Sequence, residues 1–468
     1  MNDFWRVVTL ADYNTRIVVL GVAVLGVAAG VVGSFTLLRK RALLGDALAH
    51  AAWPGITAAF LIGAVLSSTD ASTGVGGAVH SSGAKSPLGL LAGGTAGGLI
   101  GVGFIVWLGR QTRLKQDVLL GIVLSVFFGA GAAMFGVIQQ RYGNVAGLET
   151  YVYGKAASMA WADVRLIIIV AVGSLAATLL LFKELRLLCF DADYAATRGF
   201  PVALLDGVLM AMVVAVTMAG LRAVGVILIV AMLVTPAAAA RFWTHAMGRM
   251  TVIASVIGGI GGIIGAVASA MFPRLPSGAM IVLVCAGLFG FSLVFGPARG
   301  VGVRWVRRRN LDRKIARQHL LRGIFESIEQ RHRDSGANGG AIGHHGQTAV
   351  PVTSLLDRRS WSSRQLSIAI RRAEADELII RSNETIALTT AGYAEAARLT
   401  RQHRLWELYL VHHADVATAR VDRDADAIEH VLEPHIVDQL ERLLDQAPVQ
   451  IDVPDSVHRL SLNSGGGL

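Results

Sequence analysis

The stretch LRKRALLGDALAHAAWPGITAAF, residues 38–60, decides how the chain reads. A basic triplet, Arg39, Lys40 and Arg41, opens onto an apolar run in which Asp46 and His50 are the ionisable interruptions. Continued to about residue 67, the run has the roughly 20-residue length that crosses a bilayer core. Basic residues at its start mark the cytoplasmic flank of such a span. Ionisable side chains inside a span are costly to bury and point to function. Asp46 and His50 stand at i and i+4, so they project from one helical face about a turn apart.

Outward from this stretch the pattern repeats. The chain has 468 residues, a mean hydropathy of +0.54 and 16% charged residues, an average over two unlike halves. Residues 16–297 are almost continuously apolar, and 299–468 read as soluble protein. A buried α/β core would show shorter apolar runs separated by amphipathic helices. Nine spans are expected, at about 16–38, 46–67, 87–109, 117–139, 164–182, 204–220, 223–240, 250–271 and 278–297. Arg39–Arg41, Arg110/Arg113/Lys115 and Lys183/Arg186/Arg198 fall on alternate loops, on the side of the basic tail. That side is expected to be cytoplasmic and the N-terminus outside. MNDFWRVVTLADYNTR (1–16) lacks the layout of a removable signal peptide and reads as an interfacial segment. Cys189 and Cys285 form no CxxC pair, which argues against a disulfide framework or a thiolate cage. Gly93/Gly97/Gly101, Gly258/Gly262 and Gly261/Gly265 repeat the four-residue spacing that lets helix backbones approach closely.

One carboxylate and one imidazole make a two-point site for a divalent transition metal, with positions left for water or backbone oxygen. Such incomplete coordination suits an ion that must also leave. From spacing alone, a helix-start Asp beside a His hydrogen-bonded between helices is an equal reading. The 38–60 stretch closely resembles the signature of the metal-type ABC permease family, the integral subunits of zinc, manganese and iron importers. Two further stretches agree in order: AVGVILIVAMLVTPAAAARFW (223–243), and FDADYAATRGFPV (190–202), which is similar to the short cytoplasmic helix that docks on the ATPase. The resemblance covers about 1–297. It implies that Asp46 and His50 line the metal pathway and that Asp191, Ala195, Gly199 and Pro201 belong to the ATPase-coupling loop. No G-x-x-x-x-G-K-[ST] occurs in the chain, so it has no phosphate cradle of that kind. The family implies a separate cytoplasmic ATPase, an extracytoplasmic solute-binding protein and a second permease subunit.

In the soluble half, eleven arginines and lysines fall between Arg299 and Arg333, a pattern of anchors at anionic headgroups. LDRKIARQHLLRGIFESIEQ (311–330) places Leu320, Leu321, Ile324, Phe325 and Ile328 on one helical face. SGANGGAIGHHGQ (335–347) reads as a linker. Then VTSLLDRR, a turn at Trp361-Ser362-Ser363, RQLSIAIRRAEADELII and RSNETIALTTAGY give helix, turn, helix and β-wing, a winged helix-turn-helix. Arg364, Gln365, Arg371 and Arg372 are its DNA-contact candidates, although winged helices also serve as protein-interaction modules.

The segment from 390 onward resembles the metal-sensing repressor family typified by the diphtheria toxin repressor, over about 311–446. Its matched stretches imply His403, Glu407, Asp422, Asp426, Glu429 and His430 as sensor ligands. Sulfur-free ligation suits Mn²⁺ or Fe²⁺, with Zn²⁺ allowed, and manganese is the choice. Where that family carries carboxylate or thioether ligands on its first helix, this chain has His319 and Arg322, and an arginine there repels a cation.

The expected fold is an all-α polytopic membrane protein of about nine transmembrane helices followed by a cytoplasmic winged helix-turn-helix and a helical dimerisation domain. The expected boundaries are 1–298 for the permease, 299–348 for the basic helix and linker, 349–400 for the winged helix, 401–446 for the metal-binding and dimerisation helices, and 447–468 for a flexible tail. The expected function is a non-enzymatic permease subunit of a divalent-metal importer in the cell membrane. The competing readings are a secondary metal transporter and a metal-dependent repressor, tethered to the membrane or released from it, that binds operator DNA.

Overall fold

The computed structural model describes residues 12–71, 87–142, 159–272, 277–334, 348–358 and 361–413. They divide between two compact units, Met1–Arg304 and Trp305–Leu468. In the first unit lie α1 (Tyr13–Leu38), α2 (Leu44–Ala71), α3 (Pro87–Gln111), α4 (Gln116–Tyr142), α5 (Trp161–Leu180), α6 (Phe182–Phe190), α7 (Ala192–Thr197), α8 (Val202–Val224), α9 (Val226–Ala240), α10 (Met247–Met271) and α11 (Ser277–Phe295). Eight of them (α1–α5, α8, α10 and α11) are long and apolar enough to cross a bilayer.

The expected seventh span, 223–240, is shorter than the sequence suggests. α9 has 15 residues, about 22 Å at 1.5 Å per residue against a core of about 30 Å. Gly225, at φ +83°, stops α8 and starts α9. An L side chain rarely adopts that backbone conformation, whereas glycine does so without a Cβ penalty.

Small residues set the packing. A Cβ on Gly26 of α1 would overlap the carbonyl of Gly258 on α10, and a Cβ on Gly93 of α3 would overlap Ala59 of α2. These helices meet backbone to backbone, where bulkier residues would hold them apart. α1 is buried over most of Ile17 to Thr36, Leu20 and Val27 excepted, and packs against α5, α8, α9 and α10. Two arginines of the basic triplet hold neighbouring helices. Arg39 Nη2 and Arg41 Nη1 reach Asp206 on α8 at 3.2 and 2.8 Å. Arg39 also donates to the Leu188 carbonyl at 3.0 Å, and Arg41 Nε to Gln116 Oε1 at 2.9 Å. The α1–α2 turn is thereby tied to α4, α6 and α8.

α12 (Val301–Asp334) carries the chain into the second unit, which continues with β1 (Val350–Pro351), α13 (Val352–Arg358), α14 (Ser363–Ala375), β2 (Ile379–Ser382), β3 (Thr385–Leu388) and α15 (Thr390–His413). The strands form an antiparallel sheet of order β1-β3-β2. Helix, turn, helix and hairpin follow in the element order of a winged helix. The apolar face of α12, from Leu320 to Ile328, packs with Val350, Leu366, Ile370, Ile379, Ile386 and Leu399 in one core.

Candidate metal centres

Asp46 lies in the first turn of α2, where the helix dipole favours a carboxylate. One turn on, His50 Nε2 stands 3.3 Å from Asp46 Oδ1, and both side chains are about a quarter exposed. The two form part of the wall of a cavity of about 500 Å³. The rest of that wall is apolar, including Trp53, Phe128 and Phe135 from α2 and α4, and Val226 and Val230 from the start of α9. Phe128 meets the His50 ring edge-on at 5.0 Å. Pro54 lies inside α2 and has no N–H, so the His50 carbonyl lacks its usual i+4 helical donor. Carboxylate, imidazole and an under-used carbonyl therefore fall within one turn of helix, beside a low-dielectric cavity that concentrates their field.

The residues expected to form the coupling loop lie together in one short, capped segment. Asp191 caps α7 by accepting from the Tyr194 N–H at 2.8 Å. Gly199, at φ +82°, closes the helix. Its N–H bonds the Ala196 carbonyl, and the Phe200 N–H bonds that of Ala195, the paired pattern of a Schellman cap. Ala195 is buried, and Pro201 stands at the N-cap of α8. Phe190, Tyr194 and Phe200 remain exposed around this turn.

In the second unit, His403 and Glu407 on α15 also form an i, i+4 pair, with His403 Nε2 3.3 Å from Glu407 Oε1. Here the side chains are 2% and 0% exposed. Arg322 of α12, itself 2% exposed, brings Nη1 to 2.6 Å from His403 Nδ1 and Nε to 3.3 Å from Glu326 Oε1. Next to it, Arg404 Nη1 donates to Glu329 Oε1 at 3.1 Å. His319 instead lines a cleft between α12 and α14 that also includes Arg309, Arg313, Arg317 and Arg372. Asp422, Asp426, Glu429 and His430 lie outside the described residues, as do the linker histidines His344 and His345. Among the described residues, no group of three or more His, Cys, Asp or Glu side chains could hold a metal.

Arg364, Gln365, Arg371 and Arg372 are all exposed on α14, opposite its buried face of Leu366, Ala369, Ile370 and Ala373. The Gln365 side chain is also engaged in the capping box of that helix, accepting from the Ser362 N–H at 3.2 Å.

Sequence reasoning missed two features, the Asp206 clamp and the Gly225 break. Asp206 gives no local signal, because its partners lie 165 and 167 residues away. Gly225 was visible, but it sits inside an apolar run that reads as continuous span.

Eight apolar helices long enough to cross a bilayer define a multi-pass membrane protein, with the acid–imidazole pair of α2 beside an apolar cavity. The model of the ABC 3 transport family matches residues 11–296, and the chain belongs to that family. It is a permease by that membership. A second model, the iron dependent repressor metal binding and dimerisation domain, matches residues 389–450. The chain is 34% identical over 413 residues to the manganese transport system membrane protein MntC of Bacillus subtilis (strain 168), covering 88% of this chain and 87% of that protein. It is 40% identical over 303 residues to the zinc transport system membrane protein TroC of Treponema pallidum (strain Nichols), covering 64% and 95%. Among solved structures it is similar to PsaBC from Streptococcus pneumoniae in complex with Fab, with TM-score 0.52 and 26% identity, over 64% of this chain and 96% of that one.

Proposed function

We propose that the chain is the translocating subunit of an ATP-driven importer for a divalent transition metal, with Asp46 and His50 as contacts for the passing ion. The observation that carries this reading is their 3.3 Å approach in the wall of an apolar cavity. Manganese is the first choice and zinc or iron the alternatives. The MntC likeness extends beyond the permease match into the soluble half, which favours manganese. Two protein donors plus a backbone carbonyl hold a hydrated cation loosely enough to release it.

The capped turn at Asp191–Pro201, with its exposed rings, is proposed to dock the separate ATPase. The remaining partners are an extracytoplasmic metal-delivering protein and a second permease subunit. Its orientation has Arg39, Arg110 and Arg198 on the cytoplasmic face, the soluble half on the same side and the N-terminus outside. The permease comprises 1–298, and a winged-helix (349–400) and helical (401–446) region follows the linker. Arg364, Arg371 and Arg372, with Gln365, form an exposed stripe for a polyanion, operator DNA being the candidate. Gel shifts at two salt concentrations test that contact, because phosphate binding weakens steeply with salt.

The deciding experiment is ATP-dependent Mn²⁺ uptake into proteoliposomes containing the permease and its ATPase. Asp46→Ala plus His50→Ala should reduce uptake to that of protein-free vesicles, and unchanged uptake would refute the pathway. Undiminished uptake without ATPase would establish a secondary transporter instead.

A further inference from the structure

The repressor-type region matched at 389–450 belongs to a family described by metal binding, and His403 and Glu407 have ligand spacing. The described side chains around them do not fit a cation. We propose that the guanidinium of Arg322 stands in the cation position of this half-site. His403 and Glu407 then act as a metal-independent lock between α12 and α15, and not as metal ligands.

The argument runs through the lone pairs. Arginine carries only N–H donors and stays protonated in proteins. With Arg322 Nη1 at 2.6 Å, His403 Nδ1 must be the acceptor, so its lone pair is engaged. The imidazole is therefore neutral, with its proton on Nε2. That nitrogen carries the ring proton and stands 3.3 Å from Glu407 Oε1. A metal–imidazole bond needs an uncommitted ring lone pair, and neither nitrogen offers one. Access is closed as well, because Arg322, His403 and Glu407 are each at most 2% exposed. A cation entering here would first have to displace a buried guanidinium and then lie beside it, against like-charge repulsion in a poorly screened site. Glu326 holds the other side of the guanidinium, and Arg404 with Glu329 forms a second link between the same two helices. One of the two positive charges that a divalent ion would bring is supplied here by a covalently attached side chain. This half-site therefore does not respond to cytoplasmic metal.

The test uses the full chain in lipid nanodiscs, in an Asp46→Ala/His50→Ala background that removes the proposed transport contacts. Its outcome is thus independent of the transport reading. Bound Mn²⁺ is measured by equilibrium dialysis. His403→Gln, which keeps an acceptor for Arg322, is expected to leave stoichiometry unchanged and affinity within twofold. Loss of one equivalent, or a tenfold weakening, overturns the proposal. Arg322→Glu is expected to add one Mn²⁺ equivalent per chain, and a folded Arg322→Glu chain with no added site also overturns it. Should that variant fail to fold, Arg322→Met makes the same comparison with a neutral thioether, and the His403→Gln result remains decisive on its own.

Discussion

The two units carry the same local device in opposite surroundings. Asp46–His50 and His403–Glu407 are both i, i+4 pairs of carboxylate and imidazole, and in each the closest nitrogen–oxygen distance is 3.3 Å. The first pair is about a quarter exposed and opens on a cavity, while the second is closed from solvent with an arginine on its other ring nitrogen. Helical spacing brings the donors together in both cases. What separates a candidate ion contact from a structural lock is whether a lone pair remains unclaimed and whether an ion can reach it.

The most severe way to break the comparison is to make the open pair resemble the closed one. Phe128 packs edge-on against His50, so Phe128→Lys would deliver an ammonium group to the Asp46–His50 pair. Mn²⁺ uptake is expected to fall to background with both proposed contacts intact, whereas Phe128→Leu should retain uptake. A lysine at membrane depth carries an insertion cost of about 3 kcal/mol, so the amount of protein in the membrane must be measured alongside.

The reverse change opens the lock. Arg322→Ala leaves Glu326 and the His403–Glu407 pair without their buried cation. It is expected to destabilise the second unit by about 3–5 kcal/mol, the usual consequence of removing one partner from a buried ionic cluster. Hydrogen exchange on α12 and α15 in the full chain would report this, and unchanged protection would contradict it. Asp206, where two arginines converge at about 17% exposure, is an intermediate case. Asp206→Asn should cost about 1.5–3 kcal/mol, as for hydrogen bonds to charged groups, read as a lower melting temperature in detergent.

These contrasts also explain what the sequence could reveal. Asp46 with His50 was legible because both residues lie on one helix, where spacing alone fixes proximity. The spans were legible because hydropathy needs no partner. The α9 break was not, since VILIVAMLV after Gly225 is as apolar as any true span, and composition records length better than interruption. Arg322 stood out only as a departure from a family pattern. That it meets His403, 81 residues away, depends on how α12 packs against α15. The Asp206 clamp belongs to the same class, a long-range pairing with no periodic signature.

α15 supplies the smallest effect and the control for the rest. Glu395 and Arg398 pair at 2.8 Å on the same helix as His403 and Glu407, but at 30% and 61% exposure. The hydrogen bond from Arg398 holds the Glu395 carboxyl below its ordinary value, aided by the charges of Arg398 and Arg317 against the opposing effect of burial. A depressed carboxylate pKa means that the unfolded chain binds the proton more readily. The pair's contribution is thus present above the unfolded pKa and is lost as pH falls through the lower folded value. Solvent screening keeps that contribution to about 0.5 kcal/mol or less, and molar salt should reduce it further. Glu395→Gln is therefore expected to shift the stability of the second unit barely at pH 7, and by less still as pH falls through the folded value. If it proved as damaging as Arg322→Ala, burial would not be what distinguishes the lock from a surface pair, and the contrast between the two acid–imidazole sites would lose its physical basis.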